Sequence, residues 1–311
     1  MGMAQPLSIE NGEWSYLITS RTADSRLWFI NNPELEERIR GCLARYQQLY
    51  NVVIYGFIIM GNHYHLVAKF PKLNRALFMR DFNSAVARLV GRAVGIHGRR
   101  SVWARRYSYQ ILPTDEDVKN WFFYLALNPV SSGLVSRVMQ YKGYNSFFDA
   151  ISGKAREYRW LDWNAYFKAK RHGAQVSEEQ FIKIYTLRFS KLPGFEQYSK
   201  QDYYHSLARE LQARNKDIVL ERKKAGRGFL GAENLARQEV GSRPKSSKTS
   251  LRHSFRPIVL SLCAQAKHET LSIYFSILSA FRAVSENFVK NLASIADFPP
   301  GTYPPPLLHC R

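Results

Sequence analysis

Between Trp14 and Pro129 the chain switches repeatedly between two hydrophobic periods. Trp14 to Ser20 (WSYLITS) is rich in aromatic and β-branched residues, which predicts a strand. After Pro33, apolar Leu35, Ile39, Leu43, Tyr46 and Tyr50 recur every three or four positions, the spacing of an amphipathic helix. Asn51 to Met60 (NVVIYGFIIM) is a nearly continuous apolar strand, Gly61-Asn62 is a turn, and His63 to Phe70 (HYHLVAKF) pairs back as a hairpin. Asn74 to Ile96 returns to the helical period through Leu77, Phe82, Val86, Leu89 and Ala93. Arg106 to Leu112 (RYSYQIL) reads as a fourth strand. Thr114-Asp-Glu-Asp117 then has the form of a capping box, opening a helix that Pro129 should end.

The order strand, helix, strand, strand, helix, strand predicts an α+β fold. One antiparallel, ferredoxin-like sheet carries helices on one face, with a terminal helix added. Beyond Ala150 the pattern becomes mainly helical, over Val176–Arg188, Tyr203–Lys224 and Ile273–Ile295, with no alternating run that argues for strands. We therefore expect a domain at 1–150 and a mainly helical, basic C-terminal region at 151–311.

Charge narrows the class of partner. The 311 residues carry 45 Lys and Arg against 25 Asp and Glu, a formal charge of +20 with a pI near 9.9. Such a surplus calls for a polyanion, nucleic acid or an acidic membrane. No apolar run approaches a membrane span, and the start MGMAQPLSIENGEW has neither a signal-peptide pattern nor a completed myristoylation motif, since Pro6 stands where Ser or Thr is required. Nucleic acid is the expected partner and the cytoplasm the expected location. Cys42, Cys263 and Cys310 have no paired spacing, which excludes a disulfide scaffold and a zinc ribbon. The densest charge lies between Glu221 and Arg256, with ten basic and three acidic residues among glycines and serines. It reads either as a solvated linker or as an arm whose Arg222, Lys223, Lys224 and Arg227 neutralise phosphates.

Candidate chemistry sits in two places. Alternation on a strand turns His63 and His65 to one face, about 7 Å apart, and Tyr64 to the other; two such imidazoles can grip one divalent cation. Two surface histidines would show the same tripeptide. On the predicted helix, Tyr124 and Asn128 stand four apart and share a face, so a phenol and an amide point the same way. A core tyrosine between Phe123 and Leu125 would look alike, and a phenol needs an activating neighbour to act as a nucleophile.

These blocks together resemble a known family. Phe57-Ile-Ile-Met-Gly-Asn-His-Tyr-His-Leu-Val67 is similar to the HUH motif of single-tyrosine, single-strand DNA transposases. Tyr16-Leu-Ile-Thr-Ser-Arg21 is similar to that family's first strand. Val102-Trp-Ala-Arg-Arg-Tyr107 and Tyr124-Leu-Ala-Leu-Asn-Pro-Val-Ser-Ser-Gly-Leu-Val135 are similar to its later blocks. The resemblance covers about residues 14–150, and the longer chain looks more like the REP-associated tyrosine transposase branch. It implies that His63 and His65 bind Mg²⁺ or Mn²⁺ and that Tyr124 attacks a scissile phosphate, leaving a 5′-phosphotyrosine and a free 3′-OH at hairpin or palindromic sites. Many relatives carry Gln as a third ligand where this chain has the shorter Asn128. Tyr64 departs from the usual apolar middle residue, but should face away from the metal. Arg105 and Arg106 suit phosphate contacts, or form a solvated edge pair; Trp103 could stack on an unpaired base, or belong to the core. Tyr107, Tyr109, Tyr141 and Tyr144 are rival nucleophiles outside the matching tyrosine block. The main alternative is a non-catalytic nucleic-acid-binding regulator that keeps the fold. A replication initiator or relaxase is a second, although the helicase part or different motif order usual in those is not visible.

Overall fold

The computed structural model describes residues 6–95, 101–173, 175–244, 256–290 and 292–305. Strand β1 (Ser15–Arg21) leads to α1 (Pro33–Tyr50), the hairpin β2 (Val53–Met60) and β3 (His63–Lys69), α2 (Arg75–Val94), β4 (Ser108–Leu112) and α3 (Asp115–Ser131). The four strands form one antiparallel sheet in the order β2-β3-β1-β4, the ferredoxin-like arrangement that the alternating periods predict.

Local chemistry sets the element boundaries. Asn32 caps α1 by accepting from the Leu35 N–H, with Pro33 at the first helical position, where its missing N–H is harmless. Thr114 and Asp117 form the reciprocal capping box of α3. Pro129 falls in the last turn, and α3 runs on to Ser131 before stopping. Helix α2 ends at Val94 against Gly95 at φ 67°, two residues short of Ile96, which lies outside the described residues.

Both faces of the sheet are buried, which is why β2 and β3 are so uniformly apolar. Helices α1 and α2 cover the face carrying Tyr16, Ile18, Phe57, Tyr64 and Leu66. Helix α3 covers the other, over Leu17, Tyr55, Ile58 and Val67. A bulge between Ile54 and Gly56 lets Phe57 and Ile58 change faces with the correct parity. Gly56 needs to be small, because a Cβ there would press on the Phe122 ring at 3.0 Å.

Beyond α3 lie α4 (Phe147–Ser152), β5 (Arg156–Leu161), α5 (Trp163–Arg171), β6 (Ile182–Leu187), α6 (Lys200–Lys224), α7 (Ala232–Ala236) and α8 (Ala264–Val289). The region is mainly helical, but the helix expected over Val176–Arg188 is a short 3₁₀ turn followed by strand β6, paired antiparallel with β5 on the outside of α1. Ile182-Lys-Ile-Tyr-Thr-Leu187 is mostly half-buried or exposed, and its β-branched residues find a partner only across the hairpin. Helix α6 spans Lys200–Lys224, close to the expected extent, whereas α8 begins nine residues before Ile273.

The linker expectation for Glu221–Arg256 fails up to Pro244. Leu230 and Gly231 donate to the carbonyls of Gly133 and Leu134 at 2.8 and 3.0 Å. Further on, Asn31 Nδ2 bonds the carbonyls of Leu235, Ala236 and Gln238, and Leu27 exchanges backbone bonds with Gly241 and Ser242. The segment is docked, because backbone partners replace the water a linker would use. Residues 245–255, with the remainder of the charge run, lie outside the described residues, as does Cys310. Among the described residues, no helix is long and apolar enough to cross a membrane.

Candidate active site

The register of the central strands builds the first half of the site. Thr19 lies opposite His65, and Arg21 opposite His63, so all four side chains leave the sheet on the α3 face. Tyr64 goes the other way. Its ring packs on Phe57, Phe82 and Trp103, and its hydroxyl donates to Asn83 Oδ1 at 2.5 Å. The Gly61–Asn62 turn delivers His63: the Asn62 carbonyl accepts from the Thr22 N–H and hydroxyl, and Asn62 Oδ1 lies 2.6 Å from His63 Nδ1.

Helix α3 supplies the second half. Phe122, Phe123, Leu125 and Ala126 are buried and fix its rotation. Tyr124 is then 41% exposed and Asn128, one turn on, only 5%. The His63 and His65 rings meet edge to face at 4.8 Å, and the His65 and Tyr124 rings at 5.9 Å. His65 Nδ1 is 2.7 Å from Thr19 Oγ1, and His65 Nε2 is 3.3 Å from Asn128 Nδ2. The Ser132 hydroxyl bonds Asn128 Oδ1 at 3.2 Å. Trp121 closes one side of Tyr124, with ring centres 4.7 Å apart.

Burial governs the electrostatics. It holds His63 well below the ordinary imidazole value, helped by His65 and Arg21, and pushes His65 down to about 3, with Arg21 adding to the effect. Both rings are therefore neutral near pH 7. Burial raises the Tyr124 phenol, while the Arg21 charge and the Asn128 amide pull it back.

Neutral imidazoles are what a metal site requires, and the donor set fits a divalent cation. Each histidine has Nδ1 tied to an oxygen, which leaves Nε2 as the lone pair for a ligand. The Asn128 amide can turn its carbonyl oxygen toward His65 Nε2, because the Ser132 hydroxyl can donate to one end of the amide or accept from the other. Among the described residues, no group of three or more His, Cys, Asp or Glu offers a competing site.

The rival tyrosines stand elsewhere. The Tyr141 hydroxyl donates to the Ile59 carbonyl at 2.7 Å and that of Tyr144 to Asp149 at 3.3 Å, while Tyr109 lies under the buried Arg75 guanidinium with Tyr107 beside it. Trp103 is taken up by the core: its ring meets Phe29 and Tyr64, and its indole N–H donates to the Asn83 carbonyl. Arg105 and Arg106 are exposed, on a loop that the Ala104 N–H anchors to the Arg21 carbonyl at 3.0 Å. Of the four cations assigned to an arm, Lys223, Lys224 and Arg227 are exposed. Arg222 turns inward, bonding the carbonyls of Ser131 and Gly228 at 3.1 and 2.6 Å with its guanidinium over Phe229, so it is bound up in packing. Thr19 and Arg21 went unassigned in the sequence. They lie on one parity of a recognised strand, but only its register against β3 shows which histidine each one meets.

Residues 16–125 match the family model described as "Transposase IS200 like". A solved structure described as "Structure of the REP associates tyrosine transposase bound to a REP hairpin" resembles the chain at 15% identity and a TM-score of 0.39. The match covers 47% of this chain and 83% of that one. A likeness of that size places the chain in no particular branch. No curated protein matches it.

Proposed function

We propose that this chain, whose residues 16–125 belong to the IS200-like transposase family, cuts and rejoins single-stranded DNA through a covalent bond to Tyr124. The observation that carries the reading is the meeting of the Tyr124 ring with His65 on a face where His63 and His65 stand together, which none of the rival tyrosines shares. The phenol is half-exposed, open to a strand laid across α3, while its helix is locked into the core.

In this reading Tyr124 Oη bonds to phosphorus as the bond from phosphorus to the 3′ oxygen breaks. The phenolic proton goes to solvent, and the departing oxygen takes a proton to become a 3′-OH. The downstream strand stays on the enzyme as a 5′-phosphotyrosine, and an incoming 3′-OH reverses the exchange. His63 and His65, with the Asn128 carbonyl, would hold Mg²⁺ or Mn²⁺, which supplies charge neutralisation at a non-bridging phosphate oxygen. Thr19 and Asn62 fix the two rings, and Trp121 limits the swing of the phenol. Arg105, Arg106, Lys223, Lys224 and Arg227, all exposed, would contact the phosphate backbone. A hairpin-bearing strand is the substrate we expect, in the manner of the REP-associated branch.

The test uses hairpin and unstructured oligonucleotides labelled at either end, incubated with the full chain and Mn²⁺. A 3′-labelled strand should become attached to protein and a 5′-labelled one should be released with a 3′-OH. Tyr124→Phe should abolish both products while binding DNA normally. An adduct formed by Tyr124→Phe, or one carrying the 5′ label, would overturn the assignment.

A further inference from the structure

We propose that Arg21 is a further catalytic residue, a guanidinium that receives the non-bridging oxygens of the scissile phosphate beside Tyr124. This rests on the phosphotyrosine reading and adds a residue to it. On β1, Leu17, Thr19 and Arg21 share the α3 face: Leu17 packs in the α3 cluster, Thr19 bonds His65, and Arg21 is paired directly across from His63. The side chain is half-buried, yet among the described residues no carboxylate, carbonyl or amide oxygen accepts from it.

Four other sheltered arginines contrast with it. Arg156 is held by Asp149, Arg214 by Glu210 and Asn120, and Arg222 by two carbonyls. Even Arg75, fully buried, bonds Ser8 and the Ile9 carbonyl and lies on the Tyr109 ring at 3.7 Å. A cation taken partly out of water without an acceptor costs free energy, and the cost makes sense where a ligand supplies the anion. The groups that act on Arg21 electrostatically are Arg105, Tyr124 and the two histidines, with no carboxylate among them. A phosphodiester reaching Tyr124 brings the missing negative charge. Arg21 makes and breaks no covalent bond; it donates hydrogen bonds that strengthen as charge builds on the phosphoryl oxygens.

Position separates Arg21 from Arg105. The Arg105 loop lies outside it, tied to its carbonyl through Ala104 and to Thr22 through a bridge with Trp103. Arg105 is therefore a contact to incoming strand, and Arg21 a contact to the reacting group.

The experiment measures the rate of adduct formation at saturating hairpin DNA for wild type, Arg21→Ala, Arg21→Met, Arg21→Lys and Tyr124→Phe. Each is tested on a native scissile phosphate and on a methylphosphonate that lacks the non-bridging charge. Arg21→Ala and Arg21→Met should slow the native substrate by about 10²–10³-fold and change hairpin affinity by less than about 3-fold. Lys should recover part of the loss, being a point charge without the planar fork. On the methylphosphonate, wild type and Arg21→Met should react within about 3-fold of one another. Thermal melting of Arg21→Met, which keeps the apolar stem, separates a folding defect from a chemical one. An undiminished rate on the native phosphate, or an equal loss on both substrates, would overturn the role of Arg21 alone. A wild type that forms no adduct at all would overturn the phosphotyrosine reading, and the role of Arg21 with it.

Discussion

Replacing Arg222 with Ala separates a structural cation from a DNA-binding one. The guanidinium donates to the Ser131 and Gly228 carbonyls and covers the Phe229 ring at 4.9 Å, holding the chain after α6 against the end of α3. Charged hydrogen bonds contribute about 1.5–3 kcal/mol when buried, but these acceptors are near solvent, so about 1 kcal/mol each is the better figure. The cation–π contact adds about 0.5–1 kcal/mol. Arg222→Ala should therefore weaken docking of the 226–231 segment by about 2–3 kcal/mol. Hydrogen exchange at the Leu230 and Gly231 amides, which bond Gly133 and Leu134, should rise by about 30-fold or more. Because that charge faces the protein, the slope of hairpin affinity against salt should stay as in wild type. The triple change of Lys223, Lys224 and Arg227 to Ala should leave exchange alone and flatten the slope by about 2. If Arg222→Ala flattens the slope by about one and leaves the amides protected, Arg222 contacts phosphate and the packing argument is wrong.

Other outcomes follow from the same contacts. Thr19→Val keeps the strand but removes the oxygen that holds His65 Nδ1, so the Mn²⁺ concentration for half-maximal cleavage should rise by about 10–100-fold; an unchanged metal titration would detach Thr19 from the site. His63→Ala and His65→Ala should each abolish metal-dependent cleavage, and EDTA-resistant cleavage by wild type would remove the metal altogether. Glu36 is buried, its carboxylate accepts only the Tyr144 N–H among the described residues, and burial pushes that carboxyl from 4.5 up to about 7. The folded state keeps a proton that the unfolded state releases, so stability falls as pH rises from 4.5 to about 7, by at most about 3 kcal/mol. Glu36→Gln should melt higher than wild type at pH 8 and alongside it at pH 4; parallel melting curves across that range would refute the shift.

The fold was legible wherever sequence period and burial agree. Strands β1 to β3 and helices α1 to α3 each carry enough apolar positions for the period to show, and Asn32, Thr114 and Gly95 mark helix ends chemically. Legibility fails where stability comes from a distant partner. Strand β6 is six residues long and gains its apolar cover from β5 and α1. The stretch from Arg227 to Pro244 has the glycine and charge content of a linker. It docks because backbone groups of Leu27, Gly133 and Leu134 and the Asn31 side-chain amide match its backbone, and complementarity to a backbone leaves no trace in side-chain composition.

The site divides along the same line. His63, His65, Tyr124 and Asn128 could be singled out because each pair lies within one element, where a strand's period of two or a helix's turn of four fixes relative direction. Thr19 and Arg21 meet the histidines only through the β1–β3 register, and a slip of a single residue would turn both to the opposite face, among Tyr64 and Leu66. That register is secured from outside the site. The Asn62 turn is held by Thr22 and Ser25, their loop is held at Leu27 and Asn31 by residues 235–242, and those residues follow the Arg222 clamp. The cations that composition assigns to a DNA arm thus include one, Arg222, whose guanidinium faces the carbonyls of Ser131 and Gly228. Charge alone cannot distinguish the two uses, because an arginine facing a carbonyl and one facing a phosphate donate the same hydrogen bonds.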